Sequence, residues 1–228
     1  MLYSVHKTSR SKTVAKLDEN YFKIDPSGRD LKNIEDVIGS DEQILWSGKP
    51  KKRAFLINAF TKMLPIALIW LLFDGAFIGL MIGTMDEIPA SVKIFMAVFF
   101  LFHLMPVWIW LSNVLTANRQ HENLEYAFTN KRIIIKSGII GIDFKNIYYS
   151  EIDSVNLRVG LVDRIEKVGD IYIKSIGGAN VLYDLENPYT LAEKLQKIVV
   201  DIKTDIQFPN NLRPAENDGY STKYTYRD

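Results

Sequence analysis

The sequence predicts an α+β membrane protein, with a two-helix transmembrane hairpin followed by antiparallel strands and one closing amphipathic helix. Three observations carry this prediction. Between Ala54 and Leu115 the chain is almost free of charge, whereas both flanks are rich in Lys, Arg, Asp and Glu. Within that stretch lie two apolar runs, each near the ~20 residues that a spanning helix needs. Beyond them come short β-rich runs separated by Gly, Asn and Asp, and then a change to helical spacing.

The first run extends from about Met63 to Gly83, and the second covers Val92 to Leu115. The link "TMDEIPAS" is short and acidic and carries Pro89, as expected of a tight external turn between antiparallel helices. The opening twenty residues lack a continuous apolar segment, so the first run is expected to act as an uncleaved anchor. Lys49, Lys51, Lys52 and Arg53 precede it, and Arg119, Lys131 and Arg132 follow the second run. Because cytoplasmic flanks retain positive charge, both termini are predicted to be cytoplasmic. Trp108 and Trp110 fit an interfacial aromatic belt on the same side. The cluster Lys49, Lys51, Lys52 and Arg53 reads first as a topology signal and second as a juxtamembrane patch for anionic lipid.

One carboxylate, Asp74, interrupts "LIWLLFDGAFIGLMIG". A central Asp costs about 3 kcal/mol on insertion, and the surrounding Leu, Ile and Phe residues together approximately offset that. Asp74 lies fourteen positions before Ile88 in the turn and His103 fifteen after it, so at ~1.5 Å rise per residue the two reach nearly the same depth. They are natural partners for a shared proton or hydrogen bond. Gly75, Gly79 and Gly83 form a small-xxx-small series beside Asp74, a seam that admits another helix closely, in this hairpin or in a homo-oligomer. Three readings stand: an Asp74 and His103 lock, a proton or ion path through the pair, and a helix break at "FDG" that puts Asp74 near the external surface.

In the soluble part, "TN" followed by "KR" marks a turn between strands, and "GGA" suits a tight hairpin that needs positive φ. In "NPYTLAEKLQKIVVDI", Pro188 sits at a favourable helix start, and Leu191, Leu195, Ile198 and Val199 share a face. The segments "EYAFTNKRIIIKSGII", "IYYSEIDSVNLRVG", "VGDIYI" and "LENPYTLAEKLQKI" resemble the bacterial membrane-anchored pleckstrin-homology (PH) domain family. "DEQILWSGKPKKRAF" ahead of two apolar spans is similar to the usual arrangement in that family. The resemblance implies a seven-stranded, partly open, PH-like antiparallel β-barrel capped by a C-terminal helix. It also implies a place at the inner membrane of a bacterium, with membrane lipids or a membrane or cytoplasmic protein as partner. Of the basic residues that phosphoinositide-binding PH domains carry around their first hairpin, this chain offers Lys131, Arg132 and Lys136. Lys131 and Arg132 are therefore candidate phosphate contacts, with a solvated hairpin end as the plainer reading. The tryptophan common in the closing helix of eukaryotic PH domains is missing.

The expected organisation is residues 1–53 as a cytoplasmic N-terminal region, 54–118 as the hairpin, 122–203 as the PH-like module and 204–228 as a disordered tail. In the first region only "DLKNIEDVIG" has helical spacing, behind Asp30 as a cap. The absence of cysteine excludes disulfides, thiolate nucleophiles and Cys-ligated metals. His6, His103 and His121 have no ligand-like spacing, so no metal and no cofactor are expected. The net charge of +1 says little about partners, since its distribution matters more than the total, and no nucleic-acid partner is expected. Neither a nucleophile elbow nor a phosphate-cradling loop occurs. Glu151 and Asp153 read as solvated strand carboxylates. The expected activity is non-enzymatic: a binding or scaffold module at the cytoplasmic membrane face. A proton- or ion-coupled transport component is the alternative.

Overall fold

The computed structural model describes residues 32–39, 42–83 and 88–207. The expected disordered tail from residue 208 on, the Asp30 cap and the acidic turn at residues 84–87 lie outside them. Seven strands form two antiparallel sheets. The first holds β1 (Ile44–Gly48), β2 (Glu125–Thr129), β3 (Arg132–Ser137) and β4 (Asp143–Tyr148) in sequence order. The second holds β5 (Ile152–Arg158), β6 (Val168–Ser175) and β7 (Gly178–Glu186). Their inner faces meet in one core, and α6 (Pro188–Gln207) closes it with Leu191, Leu195, Ile198 and Val199 buried. These four recur at i, i+4, i+7 and i+8, one side of a helix. The closing helix runs to Gln207, past the expected end of the module at residue 203.

The first strand departs furthest from the sequence reading, which began the module at residue 122. β1 lies ahead of the apolar helices, yet it pairs with β2, with Trp46 opposite Phe128 and Gly48 opposite Tyr126. The Trp46 and Phe128 rings lie 4.7 Å apart, centroid to centroid. The barrel is thus assembled from both sides of the helical segment, which occupies its first connection.

That segment contains α1 (Lys52–Thr61), α2 (Leu64–Ile82), α3 (Ala90–His103) and α4 (Met105–Asn123). Lys52–Ile82 forms one helical path long and apolar enough to cross a membrane. α3 and α4 meet the same test only as a pair, and they are bent by 51° at Leu104. The expected straight second span at Val92 to Leu115 is therefore broken. Proline explains both this bend and the interruption between α1 and α2 at residues 62–63, since it lacks the N–H and its ring crowds the carbonyl four residues back. Pro106 stands at the start of α4 and Pro65 at the start of α2. Each break lies near an indole-bound carbonyl: Trp108 Nε1 donates to Leu101 O at 2.9 Å, and Trp110 Nε1 donates to Phe60 O at 2.9 Å. The two tryptophans expected as a belt thus satisfy backbone acceptors beside the helix breaks.

Around residue 34 the expected helix is a short 3-10 turn, Ile34–Val37. Ile34 packs on the outer face of the first sheet with Ala127 and Ile134. The β2–β3 turn is held by Thr129, whose Oγ1 accepts the backbone N–H groups of Lys131 and Arg132 at 3.1 and 3.0 Å. Beside it, Arg132 grips Glu42 with two bonds, Nε to Oε1 at 2.9 Å and Nη2 to Oε2 at 2.8 Å. Glu42 also accepts from the Thr129 hydroxyl at 2.7 Å. Burial alone would raise the Glu42 carboxyl, but the bonds from Arg132, Thr129 and the Gly39 N–H, with the Arg132 charge, hold it below its ordinary range.

Removing one member of this buried pair leaves the other charge uncompensated, and Arg132→Ala should destabilise the barrel by about 3 kcal/mol in denaturant unfolding at pH 7. Since the folded carboxyl lies below its ordinary value of 4.5, the pair's contribution is complete above that pH and lost as pH falls further. The wild type should therefore weaken more steeply in acid than Arg132→Ala does.

Candidate functional site

Two places concentrate polar groups where the chain is otherwise apolar or tightly packed. The first is the Asp74 and His103 pair in the apolar helices. His103 Nδ1 lies 2.9 Å from Asp74 Oδ1 and 3.1 Å from Oδ2, bridging α2 and α3. Asp74 is 1% exposed. The imidazole is stacked on Phe99 at 5.1 Å, with Trp70 and Phe73 at 6.1 and 6.3 Å. One ring nitrogen meets the carboxylate, three aromatic rings lie around the imidazole, and the His103 side chain stays 31% exposed. The helix does not break at Asp74, which lies inside α2.

The glycine seam lies elsewhere. A Cβ added at Gly75, Gly79 or Gly83 would meet nothing within 4 Å, so the seam does not pack this hairpin as the small-xxx-small spacing led one to expect. α2 packs chiefly along α4 instead.

The second place lies at the foot of the helices, and the sequence reading missed it. A cleft of about 1110 Å³ separates α1, the start of α2 and α4 from the face formed by β5, β6, β7 and α5 (Leu161–Glu166). At its base Asn58 of α1 donates to two carboxylates, Asp184 Oδ1 at 2.7 Å and Asp163 Oδ1 at 3.0 Å. A third, Asp170, accepts the backbone N–H of Asp184 through Oδ1 at 3.0 Å. Asp163 also accepts the Gly160 N–H at 2.7 Å, which sets the start of α5. Asp184 has φ +50°, a left-handed conformation that Asp and Asn tolerate better than most residues. Its carbonyl accepts the Lys51 N–H at 2.9 Å where β1 leads into α1.

Charge crowds this base. Burial first, and then the neighbouring Asp170 and Asp163 carboxylates, push Asp184 up to about 7 against the opposing bond from Asn58. Asp170 is raised too, mainly by burial; the Asp184 N–H and the nearby Arg158 and Lys62 charges partly oppose the rise.

The basic residues singled out from sequence are largely engaged. Glu166, 6% exposed, receives Arg53 Nε at 3.1 Å and Lys51 Nζ at 3.4 Å. Lys51 Nζ also donates to the Glu166 carbonyl at 2.7 Å. Lys49 Nζ reaches the Glu122 carbonyl at 3.5 Å, while Lys52 is exposed. Two members of the predicted lipid patch are therefore clamps between α1 and α5. Arg132 is bound to Glu42, and Lys136 pairs with Glu125 at 3.5 Å; Lys131 is exposed at the turn. The structure brings no phosphate cradle together from Lys131 and Arg132. Among the described residues, no group of three or more His, Cys, Asp or Glu side chains could hold a metal ion.

Two antiparallel sheets closed by a C-terminal helix, with a cleft in place of a catalytic constellation, define a PH-type binding module. A family model for the bacterial PH domain matches residues 64–201, more than half of the sequence, and the chain belongs to that family. The match starts at Leu64, the first residue of α2, so the apolar helices fall within the matched unit and β1 precedes it. No curated protein and no solved structure matches the chain. PH domains are generally non-catalytic binding modules, and no catalytic chemistry is assigned to this one.

Because Asp184 holds a proton more tightly folded than unfolded, stability should fall as pH rises from about 4 to 7 and then level. Asp184→Asn keeps the left-handed geometry and an acceptor for Asn58, and should stabilise the protein by ~2 kcal/mol at pH 8 with little effect at pH 4. Thermal unfolding at both pH values checks the sign. For the Asp74 and His103 pair, Asp74→Asn and His103→Ala should each lower the melting temperature in detergent, with a coupling of ~1 kcal/mol in the double-mutant cycle. Strictly additive losses would mean the pair does not act as a unit.

Proposed function

We propose that the chain is a membrane-anchored PH-domain protein, a non-enzymatic binding or scaffold module held at the cytoplasmic face of a bacterial inner membrane, with both termini cytoplasmic. The supporting observation is how the module joins its helices. β1 and β2 flank the helical segment in one sheet, and Asn58, Lys51 and Arg53 of the connecting segment and α1 are bonded into the barrel. A module fixed in this way presents its outer surface at a constant height and orientation, as a scaffold requires. Membrane lipid and a membrane or cytoplasmic protein are the partners the class supports.

The transport reading rests on Asp74 and His103. The direct bond between the buried Asp74 carboxylate and His103 supports a lock between α2 and α3. The remaining seam, Gly75, Gly79 and Gly83, is available to a second copy of the chain.

The cysteine-free sequence allows single thiols to report topology. A membrane-impermeant maleimide should label Ser91→Cys in intact cells and should label Glu151→Cys only after lysis. Labelling of Glu151→Cys in intact cells overturns the orientation. In purified vesicles, a pH-driven flux abolished by Asp74→Asn would replace the scaffold reading with transport.

A further inference from the structure

The helix α5 is built inside out. Asp163 and Glu166, 4% and 6% exposed, are turned inward against α1, whereas Leu161 and Ile165 are 81% and 78% exposed. At ~100° per residue, Asp163 and Glu166 fall on one side of the helix and Leu161 and Ile165 on the other. The inward carboxylates are fixed by Asn58, Lys51 and Arg53, so the two aliphatic side chains are committed to the outside. An outward pair of large aliphatics on a charged helix marks a contact surface more than a lone exposed Leu does.

The height of that pair follows from the same bonds. Glu166 lies beside Lys51 and Arg53, and Asp163 lies beside Asn58. Moving back along α5 therefore means moving up α1 towards the apolar span, and Leu161 borders the cleft together with Lys62 and Met63. Met63 immediately precedes α2. Leu161 thus stands at the level where the spanning helix starts, and Ile165 stands one turn, ~6 Å, below it. The flanking charges are of one sign: Arg158, Arg164 and Lys62 are exposed around the same rim, while Asp163 and Asp170 point to the base of the cleft. Outward aliphatics at the interface, edged by Arg and Lys, complement the surface of a bilayer containing anionic lipid.

We propose that the outer face of α5, Leu161 and Ile165 with Arg158, Arg164 and Lys62, is a membrane-seating surface that rests in the headgroup layer of an anionic bilayer. This rests on the membrane-anchor reading above and adds a second point of attachment. The helices hold the module to the bilayer, and α5 stops it from tilting about them. The cleft behind α5 then opens beside the headgroups.

The test uses the full chain in vesicles of phosphatidylethanolamine and phosphatidylglycerol, with a polarity-sensitive fluorophore on single cysteines and nitroxide-bearing lipids as quenchers. Leu161→Cys and Ile165→Cys report the seating face, and Leu72→Cys in α2 reports the span. Ile176→Cys is the control. Ile176, at the β6–β7 tip, is 81% exposed like Leu161, but it lies at the far end of that hairpin from Asp184. The expected result is blue-shifted, headgroup-quenched emission at 161 and 165, deep quenching at 72 and water-like emission at 176. Water-like emission at 161 and 165 with deep quenching at 72 overturns the seating surface alone. Water-like emission at 72 as well overturns the anchor and the seating surface together.

Discussion

The pairing of β1 with β2 is the constraint on which the rest of the molecule depends. Residues 49–124 stand between these neighbouring strands, and they include every apolar helix. Closing so long a loop is entropically unfavourable, although the cost grows only slowly with length. An antiparallel hairpin of helices reduces the problem further by returning the chain to the side from which it left. The barrel and the hairpin are therefore coupled: the sheet is complete only if the helices bring Glu125 back beside Gly48, and the helices end together only if the sheet holds them.

The junction shows how that coupling is made rigid. Proline interrupts the helical path at two places, and at each an indole supplies a hydrogen bond to a backbone carbonyl close by. Below the breaks, α1 is fixed to the barrel by a neutral amide between carboxylates and by two cations on Glu166. Asn58 does what a lysine would do less well here. Its amide satisfies Asp163 and Asp184 with two donors without adding a desolvated charge, and it leaves Asp184 free to carry its own proton near neutral pH. An acidic cluster at this base thus remains compatible with a buried helix contact.

How much of this was legible in the sequence depends on the separation between partners. The apolar spans, the closing face of Leu191, Leu195, Ile198 and Val199 and the positive φ in the "GGA" turn, found at Gly178, are local patterns. The approach of Asp74 to His103 was accessible because a hairpin converts equal counting from its turn into equal depth. β1 was not, because "ILWSG" is five residues long and its partner lies beyond the helices. The same holds for Arg132, whose carboxylate partner is 90 positions away, and for Asn58, whose partners are 105 and 126 positions away. Sequence spacing offered a topology signal first and lipid second for Lys51 and Arg53, because nothing nearby in the chain announces Glu166. The bend at Leu104 was local, but a tally of apolar residues does not register that Pro106 interrupts a ladder of hydrogen bonds.

The two polar sites solve one problem in different surroundings. In the apolar span, the buried Asp74 carboxylate is bonded directly to His103, whose ring stacks on Phe99, so the pair joins α2 to α3. At the foot of the helices, three carboxylates share one amide and the backbone N–H groups of Gly160 and Asp184, and a cleft open to solvent lies beside them. A mismatch in charge is tolerable there because protonation of Asp184 relieves it. The upper site is therefore suited to holding one geometry. The lower site sits where the module, the helices and the surrounding medium meet, and there a polar cluster has room beside it for another molecule.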